Sequence, residues 1–285
     1  MTDYSKIVLL ALKAALKAKS EILEVYDNRI DVEIKDDGTP LTLADKNSNN
    51  AIVKLLNQSN IPVLSEESSL LPYSRRKDAE YLWLVDPLDG TKEFIKKNGE
   101  FTINIGLIHN SEPVIGVTAV PVSNIIYLGW KGEGAFKIKI KNDFENNLAN
   151  NDIKSILKNS VKLSVNNKID KIVLAASRSH PDEIAGRLIQ LLSKEGITAS
   201  FLKRGSALKF GLIADGTANI YIRGSYSYEW DTASGHALVN AAGGEVISVG
   251  DGKPLKYNKP QLKNKAFIAI ASEELMEIIS DKLTL

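Results

Sequence analysis

The chain has 285 residues, 44% of them hydrophobic and 25% charged, with 36 basic side chains against 35 acidic ones. That balance suits one large or two medium globular domains. It excludes a global basic field for nucleic acid, so any phosphate recognition must be local. Cysteine is absent and the three histidines (His109, His180, His236) are far apart, which removes disulfides, thiolate nucleophiles and zinc clusters and leaves an oxygen shell for any metal.

In chain order, a helix is predicted over 4–26, with Ile7, Ala11, Ala14, Ala18 and Ile22 on one face and Lys6, Lys13, Lys17 and Glu24 on another. Lys13 interrupts its apolar run too early for a spanning helix or a signal sequence. Core packing is its expected use, with weak peripheral membrane contact through the lysines as the lesser alternative. A short strand and the turn Asp36-Asp37-Gly38-Thr39-Pro40 lead to a second helix over 43–57. Residues 61–65 read as a strand running into Glu66-Glu67, and 81–85 as a buried strand ending at a turn, Asp86-Pro87-Leu88-Asp89-Gly90-Thr91. Residues 101–108, 113–120 and 125–130 resemble antiparallel strands, with a glycine turn at Gly132 and Gly134.

The stretch 141–160 is rich in Asn, Lys and Asp and reads as a solvated connection with one short helix near 153–157. Beyond it strands (172–176, 199–202, 218–222, 245–249) alternate with helices (from 181, 207–214, 232–242), as in an α/β unit. The expected organisation is an N-terminal α+β domain, 1–150, and a C-terminal α/β domain, 151–285, with the site between them.

Asp86 and Asp89, with the Leu88 carbonyl between them, offer three hard oxygens in a stiff turn, which suits Mg²⁺ beside a substrate phosphate. The same residues also make an ordinary Asp-Pro turn. Gly90 lets a ligand approach the backbone, and Thr91 adds a hydroxyl and an N–H where a helix begins. Glu66 and Glu67 reach the same sheet edge if their strand neighbours 81–85; the alternative is a solvated acidic loop. Asp231 and Asp45 stand near helix starts, where capping is the default and metal binding or pairing with the Thr91 hydroxyl the alternative. No P-loop, dinucleotide glycine fingerprint or nucleophile elbow is present.

Together these segments resemble the inositol monophosphatase superfamily of metal-dependent, lithium-sensitive phosphatases. Asp86-Pro87-Leu88-Asp89-Gly90-Thr91 matches its first signature, and Trp230-Asp231-Thr232-Ala233-Ser234-Gly235 through Gly243-Gly244 its second. The runs Asn98-Gly99-Glu100-Phe101-Thr102-Ile103-Asn104, Ser177-Arg178-Ser179-His180 and Gly205-Ser206-Ala207-Leu208-Lys209-Phe210 are similar to its bisphosphate nucleotidase subgroup.

The resemblance implies a layered fold with two sheets flanked by helices. It implies two or three Mg²⁺ ions and hydrolysis of adenosine 3′,5′-bisphosphate to AMP and phosphate in sulfur assimilation or nucleotide turnover, with a sulfated relative as a further substrate. By the same resemblance Glu66, Asp86, the Leu88 carbonyl, Asp89 and Asp231 bind metal, with Glu67 nearby. Asp45 and Thr91 activate water, Gly90 and Thr91 cradle the scissile phosphate, and Glu66 and Asp231 also face substrate. His180, Ser206, Lys209 and Arg223 hold the second phosphate, although each is also open to reading as exposed charge or a cap. Ala207 departs from the subgroup, which often carries a second serine there, and the divergent 223–229 segment leaves base recognition open. The alternatives are an inositol monophosphatase or sugar-bisphosphate phosphatase of the same superfamily, or an inactive nucleotide-binding module. A cytoplasmic protein acting on a small nucleotide is expected, with no nucleic-acid partner.

Overall fold

The computed structural model describes residues 4–28, 30–36, 38–69, 71–178 and 183–280. Helix α1 (Ser5–Tyr26) buries Val8, Ala11, Leu12, Ala15, Ala18 and Ile22 along one face. A hairpin of β1 (Val32–Ile34) and β2 (Pro40–Thr42) leads into α2 (Leu43–Leu56), which lies along α1. Then come β3 (Val63–Ser65), the short α3 (Tyr73–Arg76), β4 (Tyr81–Asp89) and the short α4 (Thr91–Ile95). The meander β5 (Thr102–His109), β6 (Glu112–Val120), β7 (Ile125–Trp130) and β8 (Gly134–Lys139) follows. Helix α5 (Asn142–Ala149) stands where only a solvated connection was expected, whereas α6 (Ile153–Lys158) is the short helix expected near 153–157. They form because Phe144, Leu148, Ile153 and Ile156 are spaced to bury one face in a sequence whose composition looked uniformly polar. Strand β9 (Val161–Leu163) then returns to the first sheet, although it belongs to the second half of the chain.

The remainder alternates: β10 (Lys171–Ser177), α7 (Glu183–Lys194), β11 (Thr198–Arg204), α8 (Leu208–Ala214), β12 (Ile220–Arg223), β13 (Ser227–Tyr228), α9 (Glu229–Ala241), β14 (Glu245–Ser248), β15 (Lys263–Asn264), β16 (Phe267–Ile270) and α10 (Glu273–Ser280). Among the described residues there is a seven-stranded sheet in the order β3-β4-β5-β6-β7-β8-β9 and a five-stranded sheet in the order β11-β10-β12-β16-β14. The first is antiparallel except where β3 runs parallel to β4. The second pairs β10 with β11 and β12 in parallel, then turns antiparallel through β16.

Among the described residues four hydrophobic clusters lie between five layers. Trp83 and Val85 of β4 point to the face covered by α1 and α2, while Leu82 and Leu84 point to the opposite face, the period-two signature of a sheet buried on both sides. That second face packs with Phe210, Trp230 and Ala233 of α8 and α9 against Tyr221, Val246 and Phe267 of the second sheet. Helices α7 and α10 cover its far side through Leu188, Leu192, Leu275 and Ile279. The fold is therefore layered, with two sheets flanked by helices, as the sequence led us to expect.

The lean composition of α9 has a specific use. Gly106, Gly116 and Gly129 lie side by side in register across β5, β6 and β7. A Cβ on any of them would overlap Ala233, Ser234 or Leu238 of α9. The missing side chains let the helix backbone rest directly on the sheet, which fixes the position of its first turn.

Candidate metal and phosphate site

Strand β4 does not end at Val85. It continues through Pro87 to Asp89, with a register irregularity against β5 between Asp86 and Asp89. The expected terminal turn is thus a bulge inside the strand. Pro87 has no N–H to give the ladder, and a bulge is where a sheet accepts such a residue. The Leu88 N–H turns back to Asp86 Oδ1 at 3.1 Å, and the Ser48 hydroxyl donates to the Pro87 carbonyl at 2.7 Å. Asp86 is thereby fixed at the edge of the sheet, 2% exposed.

Strand β3 is the parallel neighbour of β4, with Ser65 opposite Val85, so Glu66 leaves the sheet beside Asp86. Asp231, in the first turn of α9, arrives from the other direction. Carboxylate oxygens of Glu66, Asp86 and Asp231 all lie within 4.8 Å of one another. Asp89 stands beside this group without joining it: its Oδ2 accepts the Ala207 N–H at 2.6 Å and approaches the Asn104 amide at 3.5 Å. Ala207, with no hydroxyl to offer, thus reaches Asp89 through its backbone N–H.

The three acids strain against one another. Burial, then the charges of Glu66, Asp89 and Asp231, push the Asp86 carboxyl well above its ordinary range. Burial also lifts Asp231 to about 7, opposed by Arg223 and reinforced by Asp89 and Glu66. Glu66 is raised by burial and by Glu67 and Asp89, with Lys35 opposing. Clustered carboxylates whose ionised forms are this disfavoured lack positive charge, and their hard oxygens fit a divalent cation.

Asp45 lies at the third position of α2, not at its cap. Its Oδ2 accepts the Thr42 N–H at 2.7 Å and the Thr42 hydroxyl at 2.5 Å. Its Oδ1 accepts the Thr91 hydroxyl at 3.2 Å. Asp231 repeats the first arrangement, accepting the Tyr228 N–H at 3.0 Å. Gly90 precedes α4 with φ +94°, and a Cβ there would sit 3.2 Å from Ser206 Cβ. This close approach joins the sheet edge to the second half of the chain.

On that side Ser206, at φ +56°, shares a 2.5 Å hydrogen bond between its hydroxyl and that of Thr102. Lys209 is 4% exposed, donates to the Ser206 carbonyl at 2.5 Å and lies over the Tyr221 ring. Burial lowers its pKa to about 8, with Asp89 opposing and Arg223 adding to the shift. Arg223, at the end of β12, places its guanidinium 3.8 Å from Asp231. His180 lies outside the described residues.

Sequence reasoning missed Lys35. Its ammonium donates to Glu66 at 3.0 Å and also to Glu67. Burial works against its charge, but the two glutamates outweigh it and hold its pKa above the ordinary value. Nothing local marks a lysine in a hairpin as the partner of acids 31 residues on. Also missed was Glu100, which holds Arg178 at 2.8 Å and the Gly205 N–H at 2.9 Å and so braces the loop before Ser206. Glu229 is fully buried and committed to Lys259 and the 258–259 backbone.

Comparison with known proteins identifies the family. The family model described as "Inositol monophosphatase family" matches residues 3–283. A 3′(2′),5′-bisphosphate nucleotidase CysQ from Buchnera aphidicola is 39% identical over 79% of this chain and 78% of its own. The protein of that name from Escherichia coli K12 is 37% identical over 85% of this chain and 90% of its own. The crystal structure of CysQ from Bacteroides thetaiotaomicron superposes with a TM-score of 0.83 at 39% identity, covering 94% of this chain and 98% of that one. With its acids gathered at the bulged strand and its profile matched almost end to end, the chain belongs to the inositol monophosphatase family.

Proposed function

We propose that this chain is a Mg²⁺-dependent 3′(2′),5′-bisphosphate nucleotidase, releasing the 3′ phosphate of adenosine 3′,5′-bisphosphate to leave AMP. A sulfated relative of that nucleotide is a second substrate in this reading. The observation that carries it is Arg223: at 3.8 Å from Asp231 it joins a basic shelf, with Lys209 and Ser206, directly to the acidic cage. A cage for one phosphate beside cations for another suits a substrate with two phosphates. The names of relatives 37–39% identical to this chain point the same way.

Glu66, Asp86, the Leu88 carbonyl, Asp89 and Asp231 are the proposed ligands of two or three Mg²⁺ ions, which when bound supply charge neutralisation at the phosphoryl oxygens and a lowered pKa for an attacking water. The chain's own contribution is positioning. Thr91 donates to Asp45, so its hydroxyl lone pairs are left to accept a water O–H, and the two bonds from Thr42 stop the carboxylate from turning away. Gly90 keeps the approach to Thr91 clear of side-chain bulk. Lys209, Arg223, Ser206 and His180 hold the second phosphate. Their cationic grip is made in ground and transition states alike, so it should govern KM more than kcat. The division into an N-terminal α+β metal-binding domain, 1–150, and a C-terminal α/β domain, 151–285, with the active site between them, belongs to the same proposal, as does a cytoplasmic location with at most weak peripheral membrane contact. No helix among the described residues is long and apolar enough to cross a membrane.

Phosphate release from adenosine 3′,5′-bisphosphate, inositol monophosphate and fructose bisphosphate, with and without Mg²⁺ and Li⁺, tests the reading. The nucleotide should be turned over fastest, only with Mg²⁺, and inhibited by Li⁺. Faster turnover of either base-free substrate would overturn it in favour of a sister activity.

A further inference from the structure

The segment between Arg223 and Asp231 carries aromatic rings at every second residue: Tyr226, Tyr228 and Trp230. The inner ring, Trp230, is 4% exposed, and Tyr228 stacks on it at 4.8 Å with the planes 8° apart. Tyr226 stands edge to face with Tyr228 at 6.4 Å and 88° and is 61% exposed. Lys263 opposes Tyr228 in the short β13–β15 pairing, and its ammonium lies 4.4 Å from the Tyr226 ring centre and 5.6 Å from that of Tyr228. A cation over one face fixes the ring and leaves the other to solvent.

A single exposed tyrosine needs no explanation. This one differs in what its loop touches. One end of the loop is Arg223, paired with Asp231; the other is Tyr228, whose N–H donates to the same carboxylate at 3.0 Å. Two peptide units allow the Tyr226 Cα at most about 7 Å from that of Tyr228. The loop that carries Tyr226 therefore borders the cage on the Asp231 side, tied to that carboxylate at both ends. If Asp231 lies by the 3′ oxygen and Arg223 by the second phosphate, the ribose lies between them, and the base projects past the loop that links them.

We propose that Tyr226 is the stacking platform for the purine base and the residue that makes this site select nucleotides over base-free bisphosphates. The inference rests on the bisphosphate nucleotidase reading and adds to it a residue for base recognition. Stacking suits this position because an aromatic face accepts any purine without hydrogen-bond readout, and the adjacent ammonium holds the ring before substrate arrives.

The test compares kcat/KM for adenosine 3′,5′-bisphosphate and for its abasic tetrahydrofuran analogue, which keeps both phosphates. In the wild type the nucleotide should be preferred. Tyr226→Ala should lower that preference about tenfold, through KM rather than kcat, and Tyr226→Trp should restore it. An undiminished preference in Tyr226→Ala would overturn the platform, as would equal losses on both substrates, which mark a loop merely disturbed. A wild type that hydrolyses base-free phosphates but not the nucleotide would remove the parent function and this inference together. A wild type active on the nucleotide with Tyr226→Ala unchanged removes only the inference.

Discussion

Helices α2 and α9 both carry an aspartate at their third position, where the carboxylate accepts the N-cap peptide N–H, at 2.7 Å for Asp45 and 3.0 Å for Asp231. Locally the two starts are alike, and either could be dismissed as capping. Their surroundings separate them. Asp45 is held by hydroxyls, from Thr42 and Thr91, and no other acid of the cage is bonded to it. Asp231 meets Glu66 and Asp86 and is offset by Arg223 and the Tyr228 N–H. Both carboxyls are raised by burial, but Asp45 is eased back by its hydroxyl partners, whereas neighbouring acids drive Asp231 further up, to about 7. A capping aspartate becomes a water-orienting group or a cation ligand according to what the tertiary fold brings to its free oxygen.

That contrast can be broken by experiment. Asp231→Asn keeps an acceptor for the Tyr228 N–H and removes the charge, so the helix should stand while phosphate release falls about 10³-fold or more and Mg²⁺ affinity falls with it. Asp45→Asn should cost about 10²- to 10³-fold in kcat with Mg²⁺ affinity unchanged, measured by single-turnover phosphate release and by calorimetry. Loss of metal binding in both variants would erase the distinction. On the basic side, Lys209→Ala should weaken turnover of the doubly phosphorylated nucleotide about tenfold or more and leave inositol monophosphate nearly unaffected.

A smaller effect concerns pH. In chelator, the raised pKa of Asp231 means the folded state holds its proton more tightly than the unfolded chain does. Its contribution to stability is therefore fully present below about pH 4 and lost as pH rises through about 7. Thermal melts of Asp231→Asn in chelator should lack this part of the decline and lie above the wild type at neutral pH; identical pH profiles would contradict it. The smallest effect is expected for Thr42→Val, which removes the hydroxyl bond to Asp45 while keeping the side-chain shape. It should destabilise by about 1 kcal/mol in denaturant titration and lower kcat modestly.

Much of this was legible because the informative segments are local. The apolar spacing of α1 and α2 and the acid-rich ends of β3 and β4 can each be read within a dozen residues. The Thr91–Asp45 pairing came from matching motifs, and the structure contains that hydrogen bond. What escaped depends on distance in sequence or on absent side chains. Pro87 suggested a turn because a proline normally ends a strand, yet the strand passes through it as a bulge. The strand after Gly134 and the β16–α10 ending went unread, the first hidden behind a glycine turn signal. Gly106, Gly116 and Gly129 look unrelated until the register aligns them beneath α9. Lys35 could be found only once the hairpin was folded over Glu66 and Glu67.

The central claim is that Glu66, Asp86 and Asp231 act as one cation cage, and calorimetric titration of Mg²⁺ into the wild type and Asp86→Asn tests it most directly. Asp86 is the buried member, bonded to the Leu88 N–H, so the amide can be accommodated without disturbing the bulge. The wild type should bind Mg²⁺ with affinity that rises from pH 6 to 8 as the acids ionise, and the variant should lose that heat while keeping its circular dichroism. Undiminished Mg²⁺ binding by a folded Asp86→Asn would contradict the account.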